Sequence, residues 1–112
     1  MPRSIIRTYS RYSRDAVALL GALIREARKQ RKFTARELAD RAGISRSMLQ
    51  RIENGNLKCE IGAVFEVAAI VGVRLFDADE TTLAKNLRQS NEKLALLPKS
   101  VRKKSKTVKD DF

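Results

Sequence analysis

The stretch from Thr34 to Gly55 constrains the fold more than any other part of this 112-residue sequence. Thr34 and Glu37 have the spacing of a capping box, in which a hydroxyl and a carboxylate satisfy backbone N–H groups at the start of a helix. Gly43 supplies the positive φ that a helix C-terminus commonly needs, and Ser45 is a favoured N-cap for a second helix. We therefore predict two short helices joined by a tight turn. They span Ala35–Ala42 and Arg46–Glu53.

The apolar residues of the second helix fix which of its faces is exposed. Leu49 and Ile52 lie three positions apart and point inward, and the small Ala39 in the first helix allows the two helices to cross closely. The residues left pointing outward are Arg46, Ser47, Gln50 and Arg51. This arrangement is typical of a helix-turn-helix that reads DNA.

Three residues of this outward face are predicted to contact bases: Arg46, Ser47 and Gln50. An arginine can donate two hydrogen bonds to guanine, and a glutamine amide can pair with adenine. A flanking set is predicted to contact the DNA backbone, which positions the protein without specifying sequence. This set is Thr34, Arg36, Ser45, Arg51, Asn54, Asn56 and Lys58. For Arg51, an ion pair with Glu37 or Glu53 is an alternative to a DNA contact.

The net charge of +11 is unevenly distributed along the chain. Residues 1–14 contain four arginines and no acid, and residues 15–58 contain ten basic and five acidic side chains. Residues 59–97 are slightly acidic, whereas residues 98–112 are again basic. This uneven distribution of charge suits a protein that binds a polyanion with one face and directs another face away from it.

Four segments follow from composition and periodicity. Residues 1–14 are predicted to be a basic flexible arm, 15–76 the helix-turn-helix domain, 77–97 a C-terminal helix and 98–112 a basic disordered tail. Within the domain, apolar spacing predicts a first helix from Asp15 to about Arg31. The C-terminal helix carries a leucine seam of only two heptads, which favours packing on its own domain, a dimer mate or another protein.

A fourth helix, from Ile61 to about Val71, is apolar on nearly all sides, and such a helix must be buried on more than one face. The residues Val73–Asp77 that follow are rich in β-formers and predict a short extended segment, which would pair with its copy in a second chain. The predicted dimer interface is Val67, Ile70, Val71, Val73 and Leu75. The predicted fold class is all-α, with four to five helices and this one intersubunit strand.

Several function classes are disfavoured. The sequence has one cysteine, Cys59, and no histidine, so it offers no internal disulfide and no Cys/His metal cluster. It has no glycine-rich phosphate loop and no catalytic constellation. We expect no enzymatic activity, no catalytic residue, no cofactor and no metal. Without a membrane span or a secretory signal, we expect a cytoplasmic protein that is associated with the nucleoid when bound to DNA.

The sequence resembles the Xre/lambda-repressor-like helix-turn-helix family over residues 18–72. The resemblance rests on L-G-x-L-I-R-x-A-R at Leu20–Arg28, F-T-x-x-E-L-A at Phe33–Ala39 and A-G-I-S-R-S-M-L-Q-R-I-E-N-G at Ala42–Gly55. The family usually has glutamine directly after the Thr34 cap, where it bonds a phosphate. Here Ala35 stands at that position, so the resemblance implies that this contact is lost or is taken over by Arg36.

The chain is also similar to HipB-type antitoxins, which are DNA-binding partners of HipA-like Ser/Thr kinase toxins. The similarity rests on the L-Q-R-I-E run of the second helix, the apolar fourth helix with the β-rich Val73–Asp77, and L-P-K-S-V-R at Leu97–Arg102. It implies a homodimeric repressor that binds a palindromic operator in double-stranded DNA and neutralises such a kinase. The alternatives are a stand-alone Xre-family regulator without a toxin partner, and a protein-binding adaptor.

Overall fold

The computed structural model describes residues 8–103. It contains five α-helices in this range: α1 Arg11–Gln30, α2 Ala35–Ala42, α3 Arg46–Glu53, α4 Ile61–Ile70 and α5 Glu80–Leu96. The chain divides after Asp77 into two compact units. The first contains α1–α4, and the second contains α5. The all-α prediction is confirmed.

The ends of α2 and α3 on either side of the turn have the predicted capping interactions. The Glu37 amide donates to Thr34 Oγ1 at 3.0 Å, and the Thr34 amide donates to Glu37 Oε1 at 2.8 Å, so the capping box is complete. Gly43 ends α2 in the left-handed region at φ 72°, and Ser45 caps α3 by accepting from the Met48 amide at 3.0 Å. The boundaries of both helices agree with the prediction.

The core of the first unit joins all four of its helices. Its buried residues are Ile24 from α1, Leu38 and Ala39 from α2, Leu49 and Ile52 from α3, and Ala63, Val67, Ala68 and Val71 from α4 and its C-cap. Ala39 is fully buried, as expected for a small residue at a close crossing. This core holds α3 with its polar face outward.

The predicted start of the first helix was wrong. Helix α1 begins at Arg11 rather than Asp15, because Ser10 is its N-cap and accepts from the Ser13 amide at 3.2 Å. Residues 11–14 therefore belong to a helix and not to a flexible arm. Helix α5 is capped by Asp79, which accepts from the Thr82 amide at 2.7 Å. The rest of the predicted arm, apart from Thr8–Ser10, and most of the predicted tail lie outside the described residues.

The predicted strand at Val73–Asp77 is not formed. Phe76 and Asp77 have φ values of 56° and 51°, and two successive residues in the left-handed region interrupt an extended backbone. No strand occurs between residues 8 and 103. Phe76 instead turns back on Phe65, with the ring centroids 6.3 Å apart in an edge-to-face arrangement.

The residues predicted for the dimer interface lie in or against the core of their own chain. Val67 and Val71 are fully buried without any partner subunit, and Ile70, Val73 and Leu75 are partly buried against the same core. The apolar character of α4 is therefore explained largely within one chain. Val67 and Val71 therefore need no second subunit to bury them, contrary to the prediction, whereas an interface at Ile70, Val73 and Leu75 stays a prediction.

Candidate nucleic-acid interface

The exposed face of α3 carries all three predicted base contacts. Arg46, Ser47 and Gln50 are exposed, whereas Leu49 and Ile52 of the same helix are buried. Ser45 is the N-cap of this helix, at the end where the helix dipole favours a negatively charged group. The face therefore presents one cation, a hydroxyl and an amide on a helix that the core holds rigidly from behind.

Arg51 belongs to the same exposed face. Its Nη1 donates to Ser47 Oγ at 3.3 Å, one helical turn earlier. The alternative of an ion pair with Glu37 or Glu53 was wrong, because Glu37 closes the capping box and Glu53 binds Arg28. The Arg51 guanidinium is thus left with its charge available to DNA.

The other predicted backbone contacts surround α3 and are exposed. Thr34 and Arg36 lie at the N-terminal end of α2, and Asn54 is the C-cap of α3. In the loop that follows, Asn56 Oδ1 accepts a hydrogen bond from the Lys58 amide at 2.7 Å, which stabilises the turn after α3. These positions are at the edges of the exposed face, where a DNA backbone would pass.

A salt bridge that the sequence analysis missed fixes α3 to α1. Arg28 Nε donates to Glu53 Oε2 at 2.7 Å and Arg28 Nη2 to Glu53 Oε1 at 3.0 Å, while Arg28 Nη1 donates to the Phe33 carbonyl at 3.1 Å. The two side chains are only 12% and 7% exposed. The hydrogen bond to Glu53 raises the pKa of Arg28 more than burial lowers it. Nothing local signals this pair, since its members are 25 positions apart in the sequence.

Arg25 is a second residue that sequence reasoning missed. It lies on α1 and lines an open cleft of about 430 Å³ together with Ala35 at the start of α2 and residues of α3. The lining also includes Arg46, Ser47 and Gln50 of α3 and its C-cap Asn54. The pattern of residues in α1 does not single out Arg25, because exposed arginines are common on helices.

No group of three or more Cys, Asp or Glu side chains is placed to hold a metal between residues 8 and 103. In the same part of the chain, no helix has the length and apolar character needed to cross a bilayer.

The arrangement of α1–α4, with α3 exposing one polar face and burying the other, is that of a lambda-repressor-like helix-turn-helix fold. Residues 24–75 match the family model described as "Helix-turn-helix", which spans α2, α3 and α4 and the C-terminal part of α1. Searches of curated proteins and of solved structures gave no match.

Proposed function

We propose that this protein is a sequence-specific transcriptional repressor that binds a palindromic operator as a homodimer. The observation that carries the proposal is the face of α3, where Arg46, Ser47, Gln50 and Arg51 are exposed on a helix whose opposite side is buried. Two such helices, one from each subunit, would enter successive major grooves about 34–36 Å apart. The protein would act in the cytoplasm, at the nucleoid.

Selection of duplexes from a random pool is the first test of this proposal. We expect an enriched sequence made of two inverted half-sites, with centres separated by one helical turn of about 10 base pairs. Enrichment of a sequence without such symmetry would contradict the dimeric mode of binding. Failure to enrich any sequence would contradict specific recognition and favour the protein-binding adaptor.

Replacing Arg46 with alanine should relax sequence preference at one base pair per half-site. The loss of a bidentate pair to guanine costs about 1–3 kcal/mol of discrimination. Competition binding with every single-base variant of the selected duplex would measure it. Arg41→Ala is a matched control, because this arginine stacks on Phe33 with its Cζ 5.1 Å from the ring centroid. Weakening of all duplexes by the same factor in Arg46→Ala would contradict a base-reading role.

The exposed leucines of α5 support the dimer part of the proposal. No residue of α5 is buried, and Leu87 and Leu94 are 62% and 63% exposed. They are one heptad apart on a seam that also contains Leu83 and Leu97. Since a repressor of a palindrome needs two copies of the chain, we assign this seam to contact with a second copy.

Leu87→Lys/Leu94→Lys should therefore shift the protein from dimer to monomer in sedimentation equilibrium, because burying the two charges would oppose association. Leu96→Lys is the matched control, since Leu96 lies off the seam and is already 88% exposed. A double variant that stays as dimeric as the control would contradict the assignment. Helix content by circular dichroism should remain unchanged in all three proteins.

The second part of the proposal is that this repressor is the antitoxin of a HipA-like kinase toxin. Its support is the resemblance to HipB-type antitoxins in α3, α4 and Leu97–Arg102. The absent Val73–Asp77 strand removes one element of that resemblance. Affinity purification of the tagged full chain from its native cells, followed by a kinase assay, is the test. A co-purified kinase inhibited by this chain would support the antitoxin, and DNA binding with no kinase would favour the stand-alone regulator.

A further inference from the structure

Helix α1 carries a row of apolar side chains on a face that the core of its own unit does not cover. The row follows spacings of four, three and four residues, and we call it the α1 stripe: Tyr12, Ala16, Leu19 and Leu23. Tyr12 and Leu19 are 84% and 60% exposed, and Ala16 and Leu23 are exposed as well. None of the four belongs to the core, which α1 enters through Ile24. A continuous row of exposed apolar side chains, unlike scattered single ones, is a feature of protein-binding surfaces.

The α1 stripe points away from the candidate DNA interface. Arg25 of α1 lines the cleft beside α3, and no residue of the stripe does. At about 3.6 residues per turn, the middle of the stripe lies roughly 150° around the helix from Arg25. Two exposed carboxylates, those of Asp15 and Glu26, flank the stripe on one side, and they oppose contact with a polyanion. The stripe is therefore accessible to a protein partner while α3 is in contact with DNA.

The exposed seam of α5 matches the α1 stripe in spacing and in length. Its members Leu83, Leu87, Ser90 and Leu94 repeat the spacings of four, three and four residues. Each row therefore extends for about 16 Å along its helix, given a rise of about 1.5 Å per residue. Each row also contains one small residue, Ala16 in α1 and Ser90 in α5, among larger ones. Apolar rows with this repeat are the pattern by which helices pack side by side.

We infer that the α5 seam of one chain packs on the α1 stripe of a second copy, and that the contact is made reciprocally. The inference rests on the proposed homodimer and names the face of the second copy that receives α5. In a twofold dimer such a contact occurs twice, because each chain supplies one stripe and one seam.

The reciprocal contact covers more apolar surface than pairing of the two α5 helices does. It covers both rows of both chains. Pairing of the α5 seams alone would give one contact of two heptads, fewer than the roughly three to four that characterise a coiled coil. It would also leave both α1 stripes exposed. The second copy is thus the partner whose apolar surface matches the stripe.

The test is dissociation of the full-chain dimer, measured by sedimentation equilibrium on single variants. Leu19→Lys should weaken the dimer by at least about tenfold, because the contact would bury an unpaired charge. Ala22→Lys is the matched control, since Ala22 is also exposed on α1 but lies off the stripe. Leu87→Glu should weaken the dimer for the same reason as Leu19→Lys. Helix content by circular dichroism should stay unchanged, because all three positions are exposed.

A mixture of Leu19→Lys with Leu87→Glu, one of them fluorescently labelled, tests the reciprocal arrangement. The mixed dimer has one contact between unaltered rows and one contact in which a lysine on the stripe meets a glutamate on the seam. It should associate at least about tenfold more tightly than either variant does with itself, since opposite charges across an interface attract. Pairing of like faces, α1 with α1 and α5 with α5, would give no such recovery, because each contact of the mixed dimer would then contain an altered residue.

The outcomes separate this inference from the proposed homodimer. A monomeric wild-type chain would overturn both. A dimeric wild type in which Leu19→Lys associates as tightly as Ala22→Lys would overturn the α1 contact and leave the homodimer standing. Weakened dimers of both variants without recovery in their mixture would also overturn the inference. Weakened dimers of both variants, with recovery in the mixture, are the result that we expect.

Discussion

Replacing Gly21 with alanine should destabilise the helix-turn-helix unit by about 3 kcal/mol, although the same change in an exposed helix normally stabilises a protein. Gly21 is buried in α1 where this helix crosses the end of α3. A Cβ built there would overlap the Ile52 carbonyl oxygen and would lie 2.9 Å from that of Glu53. Both are backbone atoms, so α1 and α3 must move apart to accept the methyl group.

Urea unfolding followed by circular dichroism would measure this loss. The matched control is Gly62→Ala, because Gly62 also lies in a helix and a Cβ there meets no atom within 4 Å. We expect this control to be neutral or to gain up to about 1 kcal/mol. If Gly21→Ala were as stable as Gly62→Ala, the close packing of α1 against the end of α3 would be disproved.

Replacing Glu53 with alanine should cost about 3–5 kcal/mol of stability, because it leaves the Arg28 guanidinium mostly buried without its counter-charge. The substitution also removes two hydrogen bonds that join α1 to α3. A domain of this size has a total stability of only about 5–15 kcal/mol, so much of the population would unfold on mild heating. Chemical denaturation is again the measurement.

The control for this change is Glu26→Ala, which removes an exposed carboxylate from α1 and should shift stability by less than about 0.5 kcal/mol. The double variant Arg28→Met/Glu53→Leu should recover most of the loss, since no unpaired buried charge remains. Equal stability of Glu53→Ala and Glu26→Ala would show that the salt bridge does not hold α3 in place.

The segment that contains α2 and α3 was predicted best from the sequence, because the residues that determine its helix ends act locally. Both ends of α2 and the start of α3 are determined by Thr34, Glu37, Gly43 and Ser45, each of which acts within a few residues of its own position. The start of α1 was mistaken because Asp15 looks like a cap, whereas Ser10 supplies the hydrogen bond. Local rules identify candidate caps but do not rank several of them along one basic stretch.

The remaining errors concern features of the structure that tertiary packing determines. The β-formers of Val73–Asp77 suggested a strand, but two residues with positive φ make the segment a turn against the core. The predicted dimer residues Val67 and Val71 are apolar because their own chain buries them. The Arg28–Glu53 salt bridge was missed because its members are 25 positions apart in the sequence. Arg25 was missed because the other residues that line its cleft include residues of α2 and α3.

DNA binding by α3 is tested most directly by a map of backbone amide chemical shifts, recorded by nuclear magnetic resonance as the selected duplex is added to the labelled full chain. We expect the largest changes over residues 45–51, at Ala35 and at Arg25, which line the same cleft as α3. Changes confined to α5, with α3 unaffected, would contradict the central claim that the exposed face of α3 binds DNA.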